Sequence, residues 1–398
     1  MQDSTQSGNY EWHYCFAINL YTAFMNEQKH LFLLDAAVKY LNCANMSPML
    51  VSVKAAGLQA LETRAAPWKL TEAEWFGNAE ILRAEAGKVF QTDYNNIALI
   101  PSASYGLAAA AKNCVPAPGK TIVVLHQEFP SNYYVWEEMA AQQGLQLVSI
   151  RQENNKTLTE SVLEKINAHT GLVAVPNCHW TSGVWLDLQT IADAARAVGA
   201  YLVLDLSQSM GALPTEIGTI QPDFAVSVGY KWLLGPYGIS YMYASPQWQQ
   251  NGSPLEYSWL IKKGSENFAN LTTYVNDYRQ GARRFDMGEF PQINLMPMAI
   301  AGLRQINDWG TGFIQDGIKQ LTDGIVTYKK QRNLFNALAP SVGHIVNIPL
   351  DGRDITELKK RLQKAGVVIS FRGTSIRVAP HLYNDASDVQ ALLSCLEM

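Results

Sequence analysis

Short apolar runs alternate with amphipathic stretches through the middle of the chain, and this alternation constrains the fold more than any other feature. Each run is apolar along its whole length, which is typical of strands buried on both faces. Such strands, separated by helices, form a mostly parallel sheet covered by helices. The sequence therefore predicts an α/β fold, with strands at Ile97–Ile100, Thr121–Leu125, Gln146–Ile150, Val173–Pro176, Tyr201–Asp205, Phe224–Val228 and Ile239–Tyr243.

The pattern changes after about Gly281, where long helical stretches and a final α+β stretch predict a smaller C-terminal domain. The helices are expected at Asn294 to Trp309 and Gly317 to Leu338, followed by a hairpin around Gly373. Met25 is a possible alternative start, so residues 1–24 are interpreted as an N-terminal extension. The other predicted domain boundaries are residues 25–50 for an N-terminal segment that packs with the small domain, 51–285 for the large cofactor-binding domain and 286–398 for the small domain.

Composition excludes several functional classes. The 398 residues are 47% hydrophobic and 17% charged, with a net charge of −4 and no basic block, so a nucleic-acid partner is not expected. No apolar run approaches the roughly 20 residues that span a bilayer, and the N-terminus does not resemble a signal peptide. The five cysteines are scattered and unpaired in spacing, which indicates reduced thiols in a cytoplasmic protein and no metal site.

Two charged residues end neighbouring strands of the predicted sheet. Asp205 ends one apolar run, and Lys231 follows the next. A buried ammonium is costly unless it is paired or neutralised, and forming an imine removes that cost. The pair predicts a pyridoxal 5′-phosphate site, in which Lys231 holds the cofactor as a Schiff base and Asp205 keeps the pyridine nitrogen protonated. Taken alone, Lys231 also fits a lysine that extends to solvent, and Asp205 a helix N-cap.

Other polar residues follow the same strand ends. Ser102–Ser104 precedes an alanine-rich helix, whose first N–H groups and a hydroxyl suit a phosphate. Gln208 follows Asp205 and is a candidate donor to the ring oxygen of the cofactor. The alternatives are an ordinary N-cap serine and a surface glutamine. Because ligands of parallel sheets bind at the carboxyl ends of the strands, these residues are expected at one common edge.

The segments Asp205–Gln208 and Ser227–Pro236 resemble the class V aminotransferase family. This is the fold-type I pyridoxal phosphate group that includes cysteine desulfurases, kynureninases, isopenicillin N epimerase and C–S lyases. The similarity runs from about Tyr40 to Asn384, nearly the whole chain. It implies a fold-type I architecture, pyridoxal phosphate as the cofactor, an α-amino acid substrate, and a homodimer with active sites at the subunit interface.

The resemblance also implies the residues that hold the cofactor. Phe129, in the segment Glu128–Trp136, matches the position whose aromatic ring stacks on the pyridine, although a core aromatic is the plainer interpretation. Phosphate contacts are expected from Ser104 with the Ala103 backbone, and from Tyr230. Ser227 is a further candidate, but desulfurases carry their serine one position nearer the lysine, where this chain has Val228.

On the substrate side, the segment Gly373–Asn384 resembles the family's C-terminal arginine segment. Arg377 is therefore the candidate for a bidentate grip on the substrate α-carboxylate, with Arg372 as the competing position. Trp180 replaces a desulfurase asparagine, as in kynureninase-like members, and is expected to shape the substrate side together with Asn42. Plain packing is the alternative for Trp180.

Two departures from the desulfurases narrow the expected function. The stretch Lys364–Gly373 contains no cysteine, Cys395 lies beyond the expected loop, and Cys178 lies in another one, so a persulfide-forming desulfurase is not expected. The resemblance implies that the loop Gly281–Glu289 reaches the active site of the neighbouring subunit, and Glu289 stands where desulfurases have a phosphate-binding threonine.

The hypothesis from sequence is a pyridoxal phosphate enzyme acting on an α-amino acid, with Lys231 as the base that takes the Cα proton. An aminotransferase or a C–S/β-lyase is preferred, because the desulfurase cysteine is absent. A kynureninase-like hydrolase and an amino-acid epimerase remain alternatives. From another class, a non-catalytic binding protein of the same fold is also considered, and the joint presence of the lysine, aspartate and arginine speaks against it.

Overall fold

A seven-stranded sheet forms the centre of the molecule in the computed structural model, which describes residues 28–397. The expected extension at residues 1–24 lies outside the described residues. The strand order is β2-β8-β7-β6-β5-β3-β4, and β8 alone runs antiparallel to its neighbours. The mostly parallel sheet is thus confirmed. Its strands are β2 (Ile97–Ile100), β3 (Thr121–Leu125), β4 (Gln146–Ile150), β5 (Thr170–Pro176), β6 (Tyr201–Asp205), β7 (Phe224–Val228) and β8 (Ser240–Ala244).

Helices cover both faces of this sheet. Those that precede or interrupt its strands are α1 (Val51–Ala65), α2 (Asn78–Val89), α3 (Ala103–Asn113), α4 (Ser131–Gln143), α5 (Leu158–Leu163), α6 (Leu188–Ala197), α7 (Ile217–Ile220) and α8 (Pro246–Asn251). Helices α3 and α4 share one apolar core with Val226 and Val228 of β7, whereas α2 and α6 belong to the core on the other face. The two cores bury β5 and β7 along their whole length, which explains why these strands lack polar alternation, whereas the edge strand β4 is partly exposed.

Short helical turns occur between these elements. The 3₁₀ turns and one π-helical turn are Lys29–Leu31, Pro67–Lys69, Ala73–Gly77 (π), Tyr94–Asn96, Trp259–Ile261, Phe268–Asn270 and Gly281–Phe285.

The C-terminal part builds a smaller α+β layer. Its helices and strands are α9 (Met296–Trp309), α10 (Thr311–Gln331), β9 (Val346–Pro349), α11 (Ile355–Lys364), β10 (Val367–Val368), β11 (Ser370–Arg372), β12 (Ser375–Val378) and α12 (Ala386–Glu397). Strands β11, β12 and β9 form an antiparallel sheet, so the expected hairpin around Gly373 is confirmed for β11 and β12. The two residues of β10 instead pair with β1 (Lys39–Tyr40), in parallel.

The second long helix differs from its predicted bounds. It begins at Thr311 rather than Gly317, because Gly310, with a φ of +79°, turns the chain directly out of α9 and into α10. It ends at Gln331 rather than Leu338, and Asn333 follows in the left-handed region, which stops a helix. Helix α9 packs on α1 and α2, and it joins the core of the large part. The domain limits stay a prediction.

No helix within residues 28–397 is long and apolar enough to cross a membrane. The four cysteines in that range, Cys43, Cys114, Cys178 and Cys395, are buried and carry free thiols.

Candidate active site

The carboxyl ends of β5, β6 and β7 bring the predicted acid and lysine to one edge of the sheet. Asp205 is the last residue of β6, and the strand pairing places it between Pro176 and Val226. Its side chain is buried, and one carboxylate oxygen accepts a hydrogen bond from the Ser207 amide at 3.0 Å. Burial raises the pKa of Asp205, while Ser207 and the charge of Lys231 oppose that rise. The aspartate is thus a desolvated carboxylate that a cationic group would stabilise.

Lys231 leaves the end of β7 and is 6% exposed. Its Nζ lies 5.3 Å from the ring centroid of Phe129 and 5.7 Å from that of Tyr230. Burial lowers the pKa of Lys231 to about 8; Asp205 opposes this fall, and the positive charge of Arg377 adds to it. A substantial fraction of the side chain is therefore a neutral amine near pH 8, and the neutral amine is the nucleophilic form.

Two aromatic side chains form a wall beside the lysine. Phe129 and Trp180 meet edge to face, with ring centroids 5.5 Å apart. Trp180 is held by a hydrogen bond from its indole N–H to the Gln127 carbonyl oxygen at 2.8 Å, and the guanidinium of Arg372 lies 5.5 Å from its ring. The structure thus places Phe129 beside Lys231 and Trp180 against Phe129; both aromatic residues were expected from sequence.

The predicted phosphate end lies at the start of α3. The Ser102 hydroxyl accepts a hydrogen bond from the Tyr105 amide at 3.2 Å and lies 3.0 Å from the Ser104 hydroxyl. Ala103 and Ser104 occupy the first turn, whose N–H groups have no carbonyl partner inside a helix. These amides, the Ser104 hydroxyl and the helix dipole can together bind an anion.

Ser227 faces away from this helix, so the structure does not bring it together with Ser104 at the start of α3. Side chains of a strand alternate between the two faces of a sheet. Val226 points towards α3, where its side chain approaches the backbone of Gly106. Ser227 is therefore on the opposite face, buried, and its hydroxyl contacts the Val228 carbonyl oxygen at 3.5 Å.

Gln208 has structural partners that sequence did not predict. Its amide nitrogen donates to the Ala44 carbonyl oxygen at 3.0 Å, and its amide oxygen accepts from the Trp232 indole at 3.1 Å. The side chain thereby ties the N-terminal segment to the residue that follows Lys231. One of its two amide N–H donors is left for a ligand.

Arg377 is a buried cation without a counter-ion. It is 1% exposed, and it donates to the Trp180 carbonyl oxygen at 2.9 Å, whereas its Nε has no hydrogen-bond partner. No carboxylate of residues 28–397 forms an ion pair with it, and burial together with Arg372 lowers its pKa to about 10. Leaving a buried guanidinium unpaired is costly, so this position suits an anionic ligand. The competing Arg372 is more exposed and donates to the neighbouring Phe371 carbonyl oxygen.

Asn42 lies beside this arginine. Ser370 is directly opposite Arg377 in the β11–β12 pair, which places both side chains on one face of the small sheet. The Ser370 hydroxyl donates to the Asn42 side-chain oxygen at 2.7 Å. The N-terminal segment thus supplies a polar residue next to the buried guanidinium.

Glu128 is a site residue whose importance the sequence did not reveal. It is buried, one of its oxygens accepts from the Phe129 amide at 2.6 Å, and the other has no partner. Burial raises the pKa of Glu128 to about 8, and the charge of Asp205 adds to the rise. Its place in a loop directly after β3 was the available signal. Asn132, in the first turn of α4, and Asn177, directly after β5, also have a buried polar atom without a partner.

These features fit pyridoxal phosphate. The lysine amine suits the aldehyde of that cofactor, and the buried carboxylate suits its pyridine nitrogen. The aromatic ring suits the plane of the pyridine, and the helix start suits the phosphate. The unpaired buried polar atoms at the same edge agree with a site that holds a polar ligand.

The thiols of Cys178 and Cys395 are not poised for sulfur chemistry. Cys178 contacts the Gln208 carbonyl oxygen at 3.6 Å, and burial raises its pKa. Cys395 lies in α12, and its pKa is raised as well. Low-pKa, accessible thiolates are the reactive form of cysteine, and neither thiol is of that kind.

The chain is similar in sequence and in fold to proteins of one known family. The model of the family described as aminotransferase class-V matches residues 71–392. The chain is 25% identical to the uncharacterized aminotransferase YcbU of Bacillus subtilis (strain 168), over 81% of this chain and 83% of YcbU. It is 24% identical to isopenicillin N epimerase of Streptomyces clavuligerus, over 71% of this chain and 74% of the epimerase. Among solved structures, a lysine-to-alanine variant of C-DES, with glycine covalently linked to the PLP cofactor, aligns with a TM-score of 0.82 at 17% identity, covering 92% of this chain and 98% of C-DES.

Proposed function

Because this chain belongs to the class V aminotransferase family of fold-type I, pyridoxal phosphate-dependent enzymes, we propose that Lys231, Asp205 and Arg377 form its active centre. The protein is a pyridoxal phosphate-dependent enzyme that acts on an α-amino acid. The carrying observation is that one sheet edge holds a buried lysine beside a buried aspartate, with an unpaired buried arginine across from them. When bound, the cofactor withdraws electrons from a bond at the substrate Cα.

The cofactor is proposed to be held by residues from several strand ends. Lys231 links to it covalently, and Asp205 faces its ring nitrogen, where a carboxylate favours the protonated ring. Phe129 supports the ring plane. The amides of Ala103 and Ser104, with the Ser104 hydroxyl and Tyr230, bind its phosphate.

Lys231 and Arg377 are proposed to divide the work on the substrate. Arg377 binds the α-carboxylate, which supplies the anion that its buried guanidinium lacks. The hydrogen bond to the Trp180 carbonyl oxygen fixes the direction of the guanidinium. Lys231, whose pKa is about 8, then takes or returns the Cα proton near neutral pH, where an amine of this pKa serves both as base and as acid.

Transamination or C–S/β-elimination is the reaction we favour. A desulfurase of the persulfide type requires an accessible cysteine. The four thiols within residues 28–397 are all buried, and burial raises the pKa of each. A kynureninase-like hydrolase is the second candidate, because Phe129 and Trp180 build an aromatic wall at the place where that chemistry would hold an aromatic substrate. An amino-acid epimerase is a further possibility within the same machinery.

A homodimer is the proposed assembly. Large apolar side chains are exposed along one stretch of the chain, including Trp259, Phe268 and Tyr274. The rings of Trp259 and Phe268 are 5.7 Å apart, and exposed apolar surface of this kind is typical of an interface. A cytoplasmic location is proposed from the free, unpaired thiols.

The decisive experiment traps the cofactor on the purified protein. We expect a yellow protein in which borohydride attaches pyridoxal phosphate to Lys231, located by peptide mass spectrometry. Lys231→Ala should lose at least about 10³-fold in turnover, whereas the exposed control Lys364→Ala should not. Labelling elsewhere, or a Lys231→Ala variant of full activity, would exclude the proposed centre.

Substrate assays then separate the reactions. Amino acids are supplied with and without pyruvate as acceptor. A keto acid formed only with the acceptor indicates a transaminase, and pyruvate with sulfide or thiol formed without it indicates a lyase. Arg377→Ala should raise KM strongly and Arg372→Ala only weakly, since the buried guanidinium is the proposed carboxylate partner.

A further inference from the structure

A cavity separate from the proposed active centre lies between the small sheet and the loop that follows β5. Its volume is about 440 Å³, within the range of small-molecule sites. It is bounded by α10, by the edge strand β9 and by Ser182 and Val184 of the loop. None of its lining residues belongs to the proposed active centre.

Lys329 gives this cavity an uncompensated positive charge. The side chain is half-buried, and its hydrogen bond to the Asn347 side-chain oxygen is long, at 3.5 Å. Burial lowers the pKa of Lys329, and no carboxylate of the described chain opposes that fall. Asp323 lines the same cavity but is exposed and forms no ion pair with Lys329, while Lys319 adds a second, exposed cation at the rim. A partly desolvated ammonium without a counter-ion favours an anionic ligand.

The rest of the lining is mainly apolar. Val326, Leu334 and Phe335 contribute side chains to it, and Phe335 is 44% exposed. A fully hydrated inorganic anion gains little from such a surface, whereas an organic anion buries its hydrocarbon part there. We propose that this cavity binds a small organic monoanion, a carboxylate with a short apolar tail, whose charge pairs with Lys329 and whose tail contacts Val326 and Phe335.

The cavity wall is directly connected to the active centre. Val342 donates to the Gly183 carbonyl oxygen at 2.9 Å, and Val184 bridges to Ser341, so the loop is fastened to the cavity. Three residues before Gly183, the carbonyl oxygen of Trp180 accepts from Arg377. A ligand against Ser182 and Val184 therefore adjoins the segment that orients the proposed carboxylate-binding arginine.

Calorimetric titration of the holoenzyme tests the site, with sodium hexanoate as the probe. We expect one hexanoate per chain with a Kd of about 1 mM or lower. Hexan-1-ol, which has the same tail without charge, and sodium phosphate, which has charge without a tail, should bind far more weakly. Lys329→Met should weaken hexanoate binding at least about tenfold, and the exposed control Lys364→Met should leave it unchanged.

A second variant keeps the test independent of the lysine. Val326→Trp fills the apolar part of the cavity and should abolish hexanoate binding while Lys329 remains. Equal binding of hexanol, or of phosphate, would overturn the proposal. So would hexanoate binding that survives Lys329→Met but disappears in Arg377→Ala, because the carboxylate would then occupy the active centre.

Discussion

At the scale of single residues, the candidate site holds two buried carboxyl groups in different surroundings. Burial raises the pKa of Asp205, whereas the hydrogen bond from the Ser207 amide and the nearby charge of Lys231 oppose that rise. Glu128 keeps one buried oxygen unpaired, and burial raises its pKa to about 8. Glu128 is therefore expected to remain a neutral acid at pH 7.

Replacing Glu128 by glutamine should remove a pH-dependent loss of stability. A carboxyl whose pKa rises from 4.5 in the unfolded chain to about 8 in the folded one stabilises the fold fully below pH 4.5, and that contribution is lost as pH rises towards 8. The loss is at most about 5 kcal/mol by linkage. In cofactor-free samples, denaturant unfolding from pH 5 to 9 should show a smaller decline for Glu128→Gln than for wild type. Glu289→Gln, at an exposed carboxylate, should follow wild type; equal slopes for all three would refute a neutral Glu128.

At the scale of elements, the loop from Cys178 to Trp185 connects the large sheet to the C-terminal part. Its Trp180 carbonyl oxygen accepts from Arg377 of β12, and its Trp185 amide donates to the Pro340 carbonyl oxygen at 2.8 Å. Gly183 has a φ of +69°, and a Cβ added there would overlap the Ile345 carbonyl oxygen. The loop thus depends on Gly183 for its left-handed backbone conformation and for its close approach to the Ile345 carbonyl oxygen.

Gly183→Ala should therefore harm both stability and substrate binding. We expect a loss of about 2–4 kcal/mol in the free energy of unfolding and a raised KM, because Trp180 would shift away from Arg377. Gly144→Ala is the matched control: it has a φ of +64°, no atom lies within 4 Å of its added Cβ, and it should cost about 1 kcal/mol without changing KM. A Gly183→Ala variant as mild as Gly144→Ala would show that the loop adapts.

Sequence patterns predict elements well where the determining signal is local. Strands β2, β3, β6 and β8 are apolar over four consecutive residues, and Asp187 caps α6 as its position suggests. Contacts between distant segments leave no such signal. Gln208 binds Ala44 across 164 positions, and the face on which Ser227 lies depends on where α3 packs. The lysine and aspartate positions were predictable because strand ends share an edge. The aromatic positions came from the family resemblance, and the unpaired oxygen of Glu128 required the packed structure.

At the scale of the whole molecule, three large aromatic side chains between residues 259 and 274 are exposed to solvent in the single chain. Trp259, Phe268 and Tyr274 are 41%, 46% and 95% exposed, and the rings of Trp259 and Phe268 are 5.7 Å apart. We call these three residues the aromatic patch. Burying such side chains contributes about 25 cal/mol per Å² of apolar area, and aromatic residues dominate the energy of interfaces. The patch is therefore the surface through which we expect two copies of the chain to associate.

Charged substitutions in the aromatic patch should dissociate the proposed homodimer. We expect light scattering to give twice the mass of the chain for wild type, and a concentration-dependent shift towards monomer for the double variant Trp259→Glu, Tyr274→Glu, since a buried unpaired carboxylate opposes association. Phe268 is left intact because it also packs on Trp75 and Phe76. Val115→Glu, at an apolar residue that is 41% exposed outside the patch, is the control and should remain dimeric. A monomeric wild type at micromolar concentration would remove the patch as an interface, and a double variant that stays dimeric would place the interface on another surface.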